Sequence, residues 1–149
     1  MSTMDQLKLD NQLCFALYAS SRAVTRLYRP LLEPLGLTYP QYLVLLVLWE
    51  RRPQAINVKE LGEQLLLDSG TLTPLLKRLE QSELITRQRC EHDERARMIS
   101  LTAKGTALRV QASCIPGKLM QSSSMPAVQV SALRDQLKTL LSAIGPAEM

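Results

Sequence analysis

The stretch from Asn57 to Thr102 reads NVKELGEQLLLDSGTLTPLLKRLEQSELITRQRCEHDERARMISLT, and its punctuation decides the fold. Asn57, with Glu60 three positions on, is a helix-start pattern, so a helix is expected from there to about Leu66. Leu67-Asp68 leaves room only for a tight connector, and a second helix is expected from Ser69 to about Ser82. Within it Leu72, Leu75, Leu76 and Leu79 recur at helical spacing and form one buried stripe. Two β-type runs follow, Leu84 to Arg89 and Arg97 to Leu101. Polar Glu91-His92-Asp93-Glu94 lies between them and reads as the long, charged tip of a hairpin.

Two short helices, a tight turn and a basic hairpin are the parts of a winged helix–turn–helix, whose second helix enters the major groove of duplex DNA. The face of that helix opposite the leucines presents Ser69, Thr71, Thr73, Lys77 and Arg78. Its first turns are small and polar, able to approach base edges, while Lys77 and Arg78 reach for phosphates. The hairpin adds Arg87, Arg89, Arg95 and Arg97. An arginine near the tip suits a minor groove, where the potential is most negative, and Arg95 is the candidate, with Asp93 orienting the arginines near it. By itself such a charge run would be an ordinary solvated loop; its place directly after two helices and a turn is what points to DNA.

Outward from this stretch the chain is helical. Leu13, Leu17, Val24, Leu27 and Leu31 carry one long helix from Asp10 to about Leu32, capped by Asp10 or Asn11 and ended by Pro34 and Gly36. Thr38-Tyr39-Pro40-Gln41 is a capping box with proline in the first turn. The helix it opens runs apolar from Tyr42 to Trp49, is expected to be buried nearly all round, and closes at Arg51-Arg52-Pro53. Thr102 caps a helix to about Ser113, interrupted or kinked at Ile115-Pro116-Gly117. Gln121 to Pro126 is a connection, and a last helix spans about Val128 to Ala143. The fold class is therefore mainly α with a small β-hairpin wing, and the 149 residues form one domain by length.

Composition narrows the class. Hydrophobic residues make up 46% and aromatics only 4%, a leucine-dominated mix that favours a helical core over a sandwich. The net charge of +4 fits a polyanionic partner without requiring one. Cys14, Cys90 and Cys114 are an odd set without ligand spacing, which argues against a disulfide framework and a zinc site alike. No metal or cofactor is expected. The first residues lack a basic then apolar leader, and Leu43 to Trp49 is too short to cross a bilayer, so a reducing cytoplasm is expected. An enzyme is not expected.

Asp93-Glu94-Arg95, Ile99-Ser100-Leu101-Thr102 and Lys104-Gly105 resemble the wing signature of the MarR family of repressors, and the helix order extends the resemblance over nearly the whole chain. It implies a homodimer on palindromic operator DNA. The DNA-binding region would span about 38–102, and the interlocking dimerisation helices about 10–34 and 103–144. Three further segments, Leu9 to Arg22, Thr38 to Tyr42 and Leu67 to Pro74, resemble the organic-hydroperoxide-sensor (OhrR) branch. In that branch a reactive cysteine near the start of the first helix is hydrogen-bonded by two tyrosines across the dimer; the matching positions are Cys14, Tyr28 and Tyr39, with Tyr18 lining the same pocket.

The residues add their own chemistry. Cys14 falls in the first turns of its helix, where backbone N–H groups favour a thiolate, the form that attacks a peroxide. Its plain alternative is a small buried hydrophobe between Leu13 and Phe15. The tyrosines have a plain alternative too, core rings with one wet end. Cys114 is the internal candidate to resolve an oxidised Cys14, though the resemblance places the resolving cysteine near Met120; a low-molecular-weight thiol is the external candidate. Cys90 is expected to be incidental and His92 a solvated wing residue. Two other functions stay open at this point. One is release by a small aromatic acid bound near Arg22 and Arg26. The other is a thiol peroxidase, against which stands the lack of alternating strands and helices.

Overall fold

The computed structural model describes residues 3–90 and 93–145, and leaves the side chains of 90–96 outside that description. Seven helices and a three-stranded sheet make up the described part. α1 is Leu13–Leu32, followed by a 3-10 turn at Glu33–Leu35; α2 is Tyr39–Arg51; β1 is Ile56–Asn57; α3 is Val58–Leu65; α4 is Ser69–Gln81. β2 is Ile85–Cys90, β3 is Asp93–Leu101, α5 is Ala103–Ala112, α6 is Ile115–Ser123 and α7 is Ala127–Ile144.

The caps read from sequence recur at α2, α3 and α5. Thr38 Oγ1 accepts from the Gln41 amide at 3.4 Å while the Thr38 amide donates to Gln41 Oε1 at 2.9 Å, the reciprocal capping box. Asn57 accepts from the Glu60 amide at 2.7 Å and Thr102 from the Gly105 amide at 3.0 Å. Asp68 is the cap of α4, accepting from the Thr71 amide at 3.1 Å. At the start of α1 the expectation fails: the capping position is Gln12, with no side-chain bond. Asp10 and Asn11 are instead used in a 3-10 turn, Leu9–Asn11, where the Asn11 amide donates to the Asp5 carbonyl at 2.7 Å. The competing local hydrogen bond took the capping side chain away.

α2 runs through the centre. Tyr42, Val44, Leu45, Val47, Leu48 and Trp49 are buried, in one cluster with Leu61, Leu72, Leu76, Leu79, Ile85 and Ile99. The expected all-round burial is broken by Leu46, which is exposed. Between α3 and α4 the chain turns on Leu66 in the left-handed region (φ 57°). Gly62 permits the approach, because a Cβ there would sit 2.8 Å from the Leu67 carbonyl oxygen.

The sheet order is β1-β3-β2, all antiparallel. β1 was not anticipated: two residues carry no periodicity, and the pairing Ile56↔Ile99 forms only because Ile56 needs a buried neighbour. The hairpin strands also run further than expected, to Cys90 and from Asp93, so Asp93 and Glu94 are strand residues rather than a long tip. The irregularity in register falls at Arg89/Cys90. The interruption expected at Ile115-Pro116-Gly117 is present, since α5 ends at Ala112, and the same residues open α6, with proline in the first turn where its missing N–H is harmless.

α5 is clamped to the corner between α4 and β2. Trp49 Nε1 donates to the Gly105 carbonyl at 2.9 Å in a buried site, and Thr102 Oγ1 donates to the Glu83 carbonyl at 2.6 Å. A Cβ on Gly105 would lie 2.1 Å from the Leu84 carbonyl oxygen, so only glycine fits. The outer helices are the opposite case. α1 buries only Leu32 and α7 buries nothing, while Leu13 is 63% exposed and Ile144 73%.

Candidate DNA-reading face and redox site

The first part of the site is the outer face of α4. Leu72, Leu76 and Leu79 point into the core, which leaves Ser69, Thr71, Thr73, Lys77 and Arg78 exposed as expected. The Asp68 cap holds the first turn of this helix rigid. Its carboxyl is lowered below the usual range by hydrogen bonding to Thr71.

The wing arginines divide. Arg97 and Arg89 are exposed and face each other across the register of β2 and β3. Arg87 does not stand free with them. Its side chain is only 16% exposed, and its Nη2 donates to Glu80 Oε1 at 3.0 Å, an ion pair that ties the last turn of α4 to β2. Position along the hairpin explains this: Arg87 is opposite buried Ile99, next to the core, whereas Arg89 and Arg97 share that face but lie two residues further out. Glu80 is held below the usual carboxylate range, first by the hydrogen bond from Arg87 and further by the nearby charge of Arg97. Sequence reading missed Glu80, because no local spacing links a helix residue to a strand across a turn. For Asp93 and Arg95 the backbone lies in β3, and their side chains fall outside the described residues.

The second part is a group of rings. Tyr28 of α1 and Tyr39 of α2 stack with centroids 4.5 Å apart, so the structure does bring these two together. Tyr42, which the sequence reading did not single out, completes the cluster at 5.8 Å from Tyr28 and 6.4 Å from Tyr39. Its spacing of three from Tyr39 on one helix was the available signal. Burial, then the neighbouring Tyr39 and Tyr42, pushes the Tyr28 hydroxyl up to about 12. Burial raises Tyr39 and Tyr42 as well. All three stay protonated near neutral pH and remain hydrogen-bond donors. Beside them opens a cavity of about 360 Å³ lined by Thr25, Tyr28, Leu32, Leu37 and Tyr39, with Arg29 and Glu33 as its two charged residues. Arg22 and Arg26 do not line it.

Cys14 is exposed in the first turn of α1 and is a free thiol. About 21 Å of helix separates it from Tyr28 at 1.5 Å per residue, so the two cannot meet within one protomer. Tyr18 likewise lies away from the ring cluster, 61% exposed, with the Arg22 guanidinium 5.4 Å from its ring centre. Cys114 is free and exposed in the turn between α5 and α6, its thiol 3.4 Å from the Gln111 carbonyl. It lies two residues past the end of α5 at Ala112, close to where that helix was expected to stop. The side chains of Cys90 and His92 lie outside the described residues. Among the described residues no group of three metal-binding side chains is present, and no single helix is long and apolar enough to cross a membrane.

A helix–turn–helix with an exposed polar reading face, followed by a two-stranded wing, defines a winged-helix transcription regulator. The family model for the transcriptional regulator SarA/Rot matches residues 26–109. The organic hydroperoxide resistance transcriptional regulator of Bacillus subtilis is 55% identical over 137 residues, 92% of either chain. The structure of reduced AbfR bound to DNA, a Staphylococcus epidermidis protein, superposes with a TM-score of 0.77 at 36% identity, covering 96% of this chain and 99% of that one. Disulfide-formed AbfR gives a TM-score of 0.63 at 40% identity, covering 92% and 95%. The chain belongs to the MarR family of DNA-binding transcription regulators.

Proposed function

We propose that the chain is a homodimeric, redox-sensing repressor of the cytoplasm, bound to palindromic operator DNA while Cys14 is reduced and released when organic hydroperoxide oxidises it. The observation that carries this reading is the distance between Cys14 and the tyrosine cluster. Cys14 and Tyr28 both lie on α1, and fourteen positions of helix fall only about 40° short of four full turns. They therefore share one face of a helix whose apolar side is exposed in the protomer. Two copies of α1 crossing antiparallel near Ser21 would set Cys14 of each against Tyr28 and Tyr39 of the partner subunit. The exposed faces of α1 and α7, with Leu13, Leu133 and Ile144, supply the apolar surface such a dimer buries.

The chemistry is then a two-electron oxidation. The Cys14 thiolate attacks one peroxide oxygen; an S–O bond forms, the O–O bond breaks, and the alkoxide leaves as the alcohol after taking a proton. Phenol O–H groups of Tyr28 and Tyr39 donate to the thiolate before the step and lose that geometry after it. Sulfenic acid then condenses with a second thiol, losing water and forming a disulfide. Cys114, exposed and free, or a low-molecular-weight thiol would serve. The repacked tyrosines shift α1 against α2 and alter the spacing of the two α4 helices. On the DNA, α4 reads through Ser69, Thr71 and Thr73, holds phosphates through Lys77 and Arg78, and the wing reaches the minor groove through Arg95, oriented by Asp93, with Arg97 beside the backbone.

Cys14→Ser should bind operator DNA like the parent protein and resist release by cumene hydroperoxide in a gel shift; a serine variant released at the parent dose refutes the mechanism. One observation bears on a second reading, release by a small aromatic acid: the cavity beside Tyr28 and Tyr39 is lined by those rings and by Arg29, with Glu33 as a competing charge. Calorimetry of Cys14→Ser with salicylate-like acids separates the two.

A further inference from the structure

The ion pair between Glu80 and Arg87 has a geometry that a phosphate contact would not need. Arg87 Nη2 reaches Glu80 Oε1 at 3.0 Å, its Nε is buried without a hydrogen-bond partner, and the side chain lies on the core face of β2 opposite Ile99. A guanidinium that extended to solvent would satisfy Nε with water. Glu80 stands in the last turn of α4, the end of a helix that disfavours an anion. A carboxylate also repels DNA, and this one follows Lys77 and Arg78 along the same helix. Two unfavourable placements thus coincide at one residue, and the pairing with Arg87 offsets both.

We propose that Glu80 and Arg87 are positioning residues that lock the wing at a fixed angle to the DNA-reading helix, and that Arg87 makes no phosphate contact of its own. α4 and β2 are joined by only three residues, Ser82 to Leu84, with Glu83 in the left-handed region (φ 62°). The backbone corner sets where β2 starts; the ion pair sets how the hairpin tilts. Losing it lets the wing swing, so that the major-groove and minor-groove contacts are no longer made together. Among the described residues of α4 and the wing, the exposed cations are Lys77, Arg78, Arg89 and Arg97. This inference rests on the DNA-binding reading above.

Two substitutions separate bracing from direct contact, because they move opposite ways. If Arg87 were a phosphate ligand that Glu80 competes for, Glu80→Gln would free it and tighten operator binding. A brace predicts the reverse: Glu80→Gln weakens binding about tenfold, the effect of one lost charge-assisted hydrogen bond, although a negative charge has been removed. Arg87→Gln should weaken it as much, and the two substitutions together should weaken it no further than either one alone, because both remove the same brace. Hydroxyl-radical footprints of both variants should lose protection at the outer, wing-covered positions and keep it over the major groove. If a single variant does not fold, the charge-reversed pair Glu80→Arg with Arg87→Glu carries the test, and it should recover the footprint. Tighter binding by Glu80→Gln, or losses that add in the double variant, overturns the proposal. A parent protein that binds no DNA defeats the functional reading itself, and is seen before any variant is made.

Discussion

Replacing Gly105 by alanine sets two effects of opposite sign against each other. Gly105 is the third residue of α5, and alanine there raises helix propensity by about 1 kcal/mol. Against this, its Cβ would stand 2.1 Å from the Leu84 carbonyl oxygen and 3.1 Å from the Leu84 carbonyl carbon, both backbone atoms. Leu101 Cδ2, at 3.2 Å, can rotate away; the backbone cannot without opening the corner. Overpacking of that kind costs about 1–3 kcal/mol. Moving α5 outward also pulls the Gly105 carbonyl from Trp49 Nε1, now 2.9 Å away, and stranding a buried donor costs a further amount of about 1–3 kcal/mol. The clash wins, with a net loss of about 2–4 kcal/mol.

For a chain of this size that shifts the melting midpoint down by roughly 5–15 °C. Thermal unfolding followed by circular dichroism, at one fixed protein concentration, measures it. Trp49 is the sole tryptophan, so its emission reports on the same hydrogen bond. A midpoint within about 2 °C of the parent, with unchanged emission, would refute the reasoning, since the clash would then have been relieved at no cost.

Two further outcomes follow from the site. Tyr28 has its hydroxyl raised to about 12 from 10.0 by burial and its tyrosine neighbours, so the folded state holds that proton more tightly than the unfolded chain. Its contribution is complete below pH 10 and is lost as the pH rises through 12; urea unfolding at intervals across that window should show stability falling with pH, less steeply in Tyr28→Phe. An equal slope in the variant would show that another group titrates there. On DNA, Lys77→Ala and Arg78→Ala should each flatten the salt dependence of operator binding by about 0.9 per phosphate contact removed, without changing the preferred sequence. A change in base preference at one position would instead make that residue a base reader.

Much of this protein is written in signals shorter than one helical turn. The caps at Thr38, Asn57 and Thr102, and the leucine stripe of α4, each depend on residues three or four apart, so they are legible without a fold. The exposed reading face of Ser69 to Arg78 follows from the stripe by exclusion. Where a local rule had a local competitor it failed: Asn11 was drawn into a turn with Asp5. The isolated pair Ile56-Asn57 showed no pattern at all, because its strand exists only through Ile99.

The sequence alone determined the order of the main helices and the hairpin, the face of α4 and, through resemblance to relatives, the choice of Tyr28 and Tyr39 as residues of one site. Only the tertiary structure decided which charges are free. Arg87 and Arg97 are alike as letters and share one face of the hairpin, yet Arg87 lies beside the end of α4, braced against Glu80, while Arg97, two residues further out along its strand than Ile99, is exposed. It also added Tyr42 to the ring cluster and showed why Gly105 can be nothing else. Those facts depend on distances between segments that no spacing along the chain encodes. The separation of Cys14 from Tyr28, by contrast, is fourteen positions of a single helix, and it is why the proposed sensor needs two chains: a rigid helix cannot fold back to bring its own ends together.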